Sequence, residues 1–327
     1  MEAKLTRRAA IGGGVAAIAA GAGAAHGEDN WPSRTVTVVQ GFPAGGPSDV
    51  VARLIADNLQ KALGQPVIVE PRPGASGTTA AAFVARAAPD GYTLMVVPSG
   101  HASTAATFAH LSYRPVRDFT TISLISEYPY VMCTNAATGI KTVADLLSAA
   151  HEGSAPLLYG TPGVGSGPHL AIELFALKTK INVQHVPFRG SAPAVEELVA
   201  GRLDFMMDPP ATLLSFVKSG KLNALAVSSA KPYFALPRTP TIADSGIKSF
   251  DVRAWQGLVA PANLPDPIVT RLNGEVVRML ADPAVVERLH AFGNAPAPST
   301  PEEFAKRLSD DIAQWTALAD AIHFQRI

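Results

Sequence analysis

Apolar runs and Gly/Pro-rich loops alternate along the chain from residue 35 onward. The first run leads through a Gly/Pro loop into a segment whose apolar residues recur at helical spacing, at Val50, Val51, Leu54, Ile55, Leu59 and Leu63. Two further apolar runs follow, separated by an Ala-rich segment. This pattern predicts strands at residues 35–40, 66–70 and 92–97 and helices at 50–63 and 78–87.

The same order of elements recurs in the second half of the chain. Strands are predicted at residues 157–159, 183–186 and 203–207, and helices at 169–178 and 193–200. Alternating strands and helices are typical of right-handed crossovers and of parallel sheets covered by helices on both faces. The sequence therefore predicts an α/β protein built from two lobes.

Two segments are expected to cross between the lobes. Residues 118–135 and 252–261 contain apolar runs that lie outside the repeated units. Three helices predicted after the second crossing are expected to return to the first lobe, at residues 267–280, 283–292 and 301–322. We therefore assign residues 28–126 and 257–327 to lobe 1 and 127–256 to lobe 2. The carboxyl ends of both sheets then face a central cleft, where open α/β sheets bind ligands.

Charge and cysteine content exclude several classes of protein. The chain has 27 Lys and Arg residues against 27 Asp and Glu residues and no basic block, so nucleic acid is not an expected partner. The one cysteine, Cys133, excludes an intrachain disulfide, and its place in an apolar run predicts a buried structural thiol. Zinc-protease and serine-hydrolase motifs are missing from the mature sequence. We therefore expect no catalytic residue, no metal and no cofactor.

Residues 1–27 have the layout of an export signal. Lys4, Arg7 and Arg8 precede an uncharged stretch at residues 9–25, and small residues follow. The stretch is too short and too weakly apolar for a good membrane anchor. Twin-arginine and general secretion both remain open as export routes. We expect a cleaved signal peptide and a mature protein that works outside the cytoplasm.

The loop at residues 41–49 is the first candidate binding element. It leads from a strand into a helix start, where free N–H groups and the helix dipole favour an anion. No Gly-Lys-Ser/Thr sequence follows Gly46, so a small carboxylate fits this loop better than a triphosphate. We expect Ser48 or Asp49 to cap the helix rather than contact the ligand. At Gly46, a Cβ is expected to clash with the ligand or to forbid a positive φ.

Other candidates follow strands whose ends should meet at the cleft. Ser99 and His101 come after the third strand of lobe 1, and Asp208 comes after the matching strand of lobe 2. Because the carboxyl ends of parallel strands share one edge of a sheet, we expect these three residues to face the cleft.

The second lobe offers a Gly-rich loop of its own. Gly165 and Ser166 supply an amide and a hydroxyl at a helix start, whereas His169 is expected to cap or pack more often than to bind. In the next turn, Arg189 could clamp a second carboxylate or lie in solvent. Phe188 could form a wall of the pocket or pack inside the lobe.

The loop Phe42-Pro43-Ala44-Gly45-Gly46-Pro47-Ser48-Asp49 resembles the Phe-Pro-Pro-Gly-Gly-x-x-Asp loop of the Bug family, the substrate-binding receptors of tripartite tricarboxylate transporters. Further motifs match in order along the mature chain, among them Arg72-Pro73-Gly74-Ala75, Ala88-Pro89-Asp90-Gly91-Tyr92-Thr93-Leu94 and Val186-Pro187-Phe188-Arg189-Gly190-Ser191-Ala192-Pro193. The resemblance implies a two-lobed, type II-like periplasmic-binding-protein fold. It also implies a periplasmic receptor that closes on a small organic acid and delivers it to membrane permease subunits. We expect this receptor to be a monomer.

The resemblance also implies how the ligand is divided between the lobes. The first-lobe loop would hold one carboxylate mainly through main-chain amides and ordered water, and the second lobe would read the far end. The candidate ligand-binding residues are Phe42, Ala44, Gly45, Gly46, Ser48, Asp49, Ser99, His101, Gly165, Ser166, His169, Phe188, Arg189 and Asp208.

Departures from the family pattern leave the ligand open. Ala44 replaces the usual second proline, Pro47 is unusual, Phe188-Arg189 replaces a common Tyr-Lys pair, and Pro209 replaces a common Asn. An arginine can form a bidentate contact that lysine cannot, and the loss of a tyrosine hydroxyl makes the wall more apolar. The ligand is therefore a mono-, di- or tricarboxylate, aliphatic or aromatic.

Two other functions remain open on sequence grounds. A carboxylate-sensing partner of a signalling kinase would have a similar cleft. A two-lobed transferase would need an acid/base pair there, and its only candidates are Asp49 or Asp208 together with His101 or His169.

Overall fold

Strands and helices alternate through most of the computed structural model, which describes residues 31–327. The predicted signal peptide at residues 1–27 lies outside the described residues. The strands are β1 (Val36–Gln40), β2 (Val67–Pro71), β3 (Thr93–Pro98), β4 (Phe119–Pro129), β5 (Val131–Asn135), β6 (Leu157–Thr161), β7 (Val183–Pro187), β8 (Phe205–Asp208), β9 (Leu222–Val227), β10 (Arg253–Pro261) and β11 (Ala295–Pro296). The helices are α1 (Pro47–Leu63), α2 (Thr78–Val84), α3 (Gly100–Thr107), α4 (Val143–Glu152), α5 (Gly167–Thr179), α6 (Ser191–Val199), α7 (Pro210–Lys218), α8 (Asp266–Leu280), α9 (Pro283–Ala291) and α10 (Pro301–Ala321).

The strands form two sheets, one for each lobe. The first sheet has the order β11-β4-β10-β3-β1-β2, and the second has the order β7-β6-β8-β5-β9. Within each sheet the repeated units form the predicted parallel part, where β1 pairs with β2 and β3, and β6 pairs with β7 and β8. The two-lobed α/β architecture predicted from the sequence is confirmed.

The crossing segments add antiparallel strands to the predicted parallel sheets. Strand β10 runs antiparallel to both β3 and β4, and β5 runs antiparallel to both β8 and β9. The reason lies in the connections between the lobes. A chain that crosses to the second lobe and later returns must pass the same place in opposite directions, so the strands next to the crossings are antiparallel.

The two crossings are hydrogen-bonded to each other. Tyr130 alone separates β4 from β5, and its N–H donates to Ser228 Oγ at 2.8 Å. The Ser228 N–H donates to Tyr130 O at 2.9 Å, and the Val252 N–H donates to Ser228 O at 2.8 Å. The predicted lobe boundaries at 126/127 and 256/257 fall inside β4 and β10, strands that belong to the first sheet along their length. The division into lobes by residue number stays a prediction.

Helix α1 illustrates how burial fixes the layers. Its residues Val51, Leu54, Ile55 and Leu59 are almost fully buried, as the helical spacing of apolar positions predicts. After the second crossing the chain returns to the first lobe, because α8 packs on α1 and β4, and α10 packs on α3 and β4. Sequence patterning did not identify α3, α4, α7 or β9. None of the helices in residues 31–327 is both long and apolar enough to cross a membrane.

Candidate functional site

The loop between β1 and α1 is shaped by side chains of its own lobe. Gln40 ends β1, and its Nε2 donates to Phe42 O at 2.7 Å while its Oε1 accepts the Phe42 N–H at 2.8 Å. Farther along, the Gly45 N–H donates to Asp49 Oδ2 at 2.9 Å. Both ends of the loop are therefore fixed by contacts that need no ligand.

Asp49 has a structural role in this loop. Its side chain is buried, and it accepts hydrogen bonds from Gly45 N–H and from Arg53 Nε, the latter at 2.8 Å. Burial alone would raise the pKa of Asp49, but the hydrogen bonds from Arg53 and Gly45 outweigh it and hold the pKa below its usual value. The expected cap at Ser48 or Asp49 is corrected, because the N-cap is Gly46 and no side chain caps α1.

The amides of the first helical turn remain available to an anion. Ser48 and Asp49 follow the first helical residue, Pro47, and N–H groups in this turn have no intrahelical acceptor. The Gly45 N–H is already used by Asp49, and Pro47 has no N–H group. The candidate anion site in this loop therefore narrows to the Ser48 and Asp49 amides.

Of the two reasons expected for a glycine at position 46, the structure excludes a positive φ. Gly46 has a φ of −78° and is extended, whereas Gly45 has a φ of 83°. A Cβ on Gly46 would lie 3.4 Å from Pro43 O, an ordinary contact, so the backbone tolerates a side chain there. Ala44 lies exposed next to these glycines, and Phe42 is half-buried.

A buried polar network under the loop was missed by the sequence analysis. Gln256 of β10 is almost fully buried, and its Nε2 donates to Pro47 O at 3.3 Å. Its Oε1 accepts one hydrogen bond from Ser126 Oγ at 3.0 Å and another from Asn294 Nδ2 at 3.3 Å. The network ties the start of α1 to the strands that lead into the crossings. A glutamine inside the otherwise apolar run at residues 254–261 was the available signal.

A strained turn lies beside the loop. Residues 74–77 have successive positive φ values of 146°, 44°, 56° and 89°, and two of them, Ala75 and Ser76, are not glycine. Non-glycine residues in this region cost on the order of 1–3 kcal/mol each and cluster at functional sites. The Phe42 ring lies against Gly77 of this turn. The turn and the loop thus form one continuous surface at the carboxyl end of the first sheet.

Of the two candidates after β3, only Ser99 lies at the boundary between the lobes. Ser99 is half-buried, and its side chain hydrogen-bonds Tyr130 at the crossing. His101 instead packs inside the first lobe, stacked on Tyr113 and edge-on to Phe119, with Nε2 bonded to Pro115 O at 3.0 Å. Burial lowers the pKa of His101 to about 4. This placement corrects the expectation that His101 faces the cleft and favours a packing role.

The Gly-rich loop of the second lobe is held together by its own polar groups. Ser166 caps α5, accepting the His169 N–H at 3.4 Å, and its Oγ donates to Gly163 O at 2.7 Å. The Gly165 N–H donates to His169 Nδ1 at 3.0 Å. The His169 ring stacks on His185 with a centroid distance of 3.9 Å, and burial lowers its pKa to about 3. His169 therefore orders the loop, and of its two predicted roles the structure favours packing over ligand contact.

This loop packs across the boundary between the lobes. A Cβ on Gly167 would lie 2.0 Å from the Tyr130 hydroxyl, and one on Gly165 would lie 2.9 Å from Thr107 Oγ1 of α3. Because both positions lack a side chain, the second-lobe loop can approach the first lobe closely. Tyr130 and Thr107 are contact residues that the sequence analysis missed.

The remaining candidates have three different environments. Phe188 is half-buried and packs against the core of the second lobe, so of its two predicted roles the structure favours packing. Arg189 is exposed at the turn before α6. Asp208 ends β8 and is fully buried, and burial raises its pKa to about 7.

The chain matches the model of the tripartite tricarboxylate transporter family receptor over residues 51–324. A solved R. palustris protein, Rpa4515 with adipate, is 33% identical, with a TM-score of 0.79 over 89% of this chain and 97% of that one. The periplasmic binding protein BugD is 30% identical, with a TM-score of 0.77 over 90% and 99% of the two chains. MatC from Rhodopseudomonas palustris with bound malate is 36% identical, with a TM-score of 0.75 over 88% and 99%.

These similarities cover nearly the whole described chain and agree with the resemblance read from its motifs. The transferase alternative is rejected, because the family consists of receptors and because His101 and His169 are used in packing. The chain belongs to the tripartite tricarboxylate transporter receptor family, the Bug family of solute-binding proteins, whose members are substrate-binding receptors and not enzymes.

Proposed function

We propose that this protein captures a small organic carboxylate in the cleft between its lobes and delivers it to the permease of a tripartite tricarboxylate transporter. The observation that carries the proposal is the first turn of α1. The Ser48 and Asp49 amides are available there, in a loop already fixed by Gln40, Asp49 and Gln256. A site organised before the ligand arrives loses little free energy to ordering on binding.

The electrostatics of this turn favour an anionic group. The helix dipole and the free N–H groups attract negative charge. The one carboxylate in the loop, Asp49, is paired with Arg53, so the ligand does not meet an isolated negative charge. Two family members with similar structures support the ligand class, because one was solved with adipate and the other with malate.

The second lobe supplies the closing contact in this proposal. Its Gly-rich loop reaches Tyr130 and Thr107 through Gly167 and Gly165, while α6 and α7 begin at the same edge of the sheet. A carboxylate held by α1 would therefore be enclosed when the loop seats against the first lobe. Export through the signal at residues 1–27 would place this capture in the periplasm, where the permease meets its receptors.

A thermal-shift screen of the mature protein tests the proposal. The panel contains C4–C9 mono-, di- and tricarboxylates, aliphatic and aromatic, with adipate and malate included and matched amides and alcohols as controls. A ligand at 100 times its Kd stabilises the folded state by about 2.7 kcal/mol. We expect a concentration-dependent rise in Tm for a subset of the carboxylates and none for the controls. No response to any carboxylate, or an equal response to the amides, would contradict the proposed function.

A further inference from the structure

A buried carboxylate oxygen without a partner lies at the edge of the second sheet. Asp208 is the last residue of β8 and is fully buried. Its Oδ2 accepts a hydrogen bond from Thr212 Oγ1 at 2.6 Å, and the nearby Ser191 hydroxyl lowers the pKa of the carboxyl. Its Oδ1 has no hydrogen-bond partner in residues 31–327. Half of this carboxylate is therefore satisfied by the protein and half is not.

Leaving such an oxygen unpaired is costly. A buried acceptor without a donor loses the hydrogen bonds that water would supply, and the cost is larger when the acceptor is charged. Folded proteins pair most buried polar atoms, and the exceptions often mark functional positions. Asp49, the corresponding buried aspartate of the first lobe, accepts donors on both of its oxygens. The unpaired Oδ1 of Asp208 is thus a local feature of the second lobe.

No ion pair joins Asp208 to a cationic side chain in residues 31–327. The titratable groups that it influences are Tyr128, Tyr130 and Cys133, and burial raises the pKa of each, so all three stay neutral. Thr212 and Ser191 contribute hydroxyls alone. Because no cation offsets burial, the pKa of Asp208 is raised to about 7. Ionising this carboxyl near neutral pH therefore costs more free energy than ionising an exposed one.

The position of Asp208 connects it to the cleft. Strand β8 runs parallel to β6, so its last residue lies at the carboxyl edge of the sheet, the edge at which α6 and α7 start. Its carboxylate accepts a hydrogen bond from Thr212 in the first turn of α7 and lies near Ser191, the first residue of α6. The edge that would read the far end of a ligand therefore contains the unpaired Asp208 Oδ1.

We propose, building on the proposed function, that Asp208 Oδ1 accepts a hydrogen bond from the far end of the bound acid, so that the preferred ligand is a carboxylate with a hydroxyl or ammonium group there. Such a group brings its own proton and satisfies the oxygen directly. A simple dicarboxylate would place two carboxylates together. It would bind only when one proton, taken from solvent, is shared between its distal carboxylate and Asp208.

Calorimetric titration with matched ligands tests this inference. At the six-carbon length the set is 6-hydroxyhexanoate, 6-aminohexanoate, hexanoate and adipate; if the panel prefers four carbons, it is 4-hydroxybutanoate, 4-aminobutanoate, butanoate and succinate. At pH 8 the wild type should bind the hydroxy or amino acid at least tenfold tighter than the plain acid. Adipate should bind more tightly at pH 6 than at pH 8, by up to tenfold per pH unit, while 6-hydroxyhexanoate should gain no affinity at pH 6.

Two variants separate the role of Asp208 from a structural one. Asp208→Leu removes the acceptor. The affinities of this variant for the hydroxy acid and for the plain acid should therefore differ by less than about twofold. Asp208→Asn keeps the shape and removes the charge, so adipate should bind at least fivefold tighter at pH 8 and lose its pH dependence. If Asp208→Leu does not fold, the Asp208→Asn titration alone decides the question.

The outcomes distinguish this inference from the function beneath it. Carboxylates that bind the wild type without preference for a distal donor, and without a change of adipate affinity with pH, would overturn the role of Asp208 and leave carboxylate binding intact. No binding of any carboxylate would contradict the proposed function itself.

Discussion

The Gly-rich loops of the two lobes are held in place differently. In the first lobe, the loop before α1 is fixed by Gln40, Asp49 and Gln256, all of which belong to that lobe. In the second lobe, the loop before α5 is ordered internally by His169, but its glycines lie against residues outside the lobe. The first loop can therefore exist in its final form without the second lobe. The second loop makes its full set of contacts only when the lobes approach each other.

The buried aspartates follow the same division. Asp49 is paired with Arg53 and with a loop N–H group, and its pKa is held below the usual value. Asp208 has no cation partner in the described part of the chain, and its pKa is raised to about 7. We interpret the first lobe as a preformed anchor for one carboxylate. In the proposed function, the second lobe is the part that closes and selects.

The largest expected effect is on the free energy of unfolding. It tests whether His101 of the first lobe has a structural role and not a binding role. Burial lowers the pKa of His101 to about 4, while the unfolded state has a pKa near 6.5. Its stabilising contribution is therefore present above pH 6.5 and is lost as the pH falls through about 4, because the unfolded chain binds the proton first. The loss amounts to about 3 kcal/mol between pH 7.5 and pH 4.

Urea denaturation of the wild type and of His101→Gln at both pH values measures this effect. Glutamine retains a donor for Pro115 O but does not titrate, so the stability advantage of the wild type should shrink by about 3 kcal/mol in acid. Ligand affinity at pH 7.5 should be the same in both proteins. A tenfold loss of ligand affinity in the variant would mean that His101 contributes to binding. The first lobe would then not differ from the second in the way described.

Sequence reasoning reached the repeated units because their apolar runs and helical spacings are local signals. It missed α3, whose sequence Gly-His-Ala-Ser-Thr-Ala-Ala-Thr has small residues in place of an apolar stripe, although six of its eight positions are buried. His101 was assigned to the cleft by its place after β3. Its actual environment depends on Tyr113, Pro115 and Phe119, which a pattern of strand ends does not reveal.

The polar support of the site was also out of reach. Gln256 and Pro47 are 209 residues apart in sequence, and their contact depends on how β10 and α1 meet in the folded protein. The unpaired state of Asp208 Oδ1 is likewise a three-dimensional property, since sequence shows an aspartate at a strand end and not the number of donors around it. The order of the motifs was enough to identify the family. Which candidate side chains are available to a ligand depends on packing and is seen only in the structure.

The next effect tests the closing role of the second lobe. In Gly167→Ala, the new Cβ would overlap the hydroxyl of Tyr130, a buried residue at the crossing that has little room to move. We expect this overlap to keep the second-lobe loop from packing closely against the first lobe. Ligand affinity should fall about 30-fold, a loss of about 2 kcal/mol in binding free energy. Small-angle scattering should show a smaller radius of gyration on ligand addition in the wild type and not in the variant.

Gly274→Ala is the matched control for this substitution. Gly274 lies within α8, and a Cβ there meets no atom within 4 Å. Alanine should stabilise the helix by up to about 1 kcal/mol and leave affinity and closure unchanged. If Gly167→Ala closed and bound like the wild type, the second loop would not be the closing element.

The smallest effect tests the anchor of the first lobe with two glycines of similar backbone conformation. Gly45 in the loop has a φ of 83°, Gly64 at the end of α1 has a φ of 68°, and a Cβ at either position meets no atom within 4 Å. Valine should therefore cost each protein about 1–2 kcal/mol of stability through backbone strain.

In Gly45→Val the loop must relax, which displaces the Ser48 and Asp49 amides. Binding should weaken about tenfold, which corresponds to about 1.4 kcal/mol. Gly64→Val should bind like the wild type in the same calorimetric titration, because strain at that end leaves the loop unchanged. Equal affinities in both variants would mean that the preformed loop of the first lobe does not hold the carboxylate.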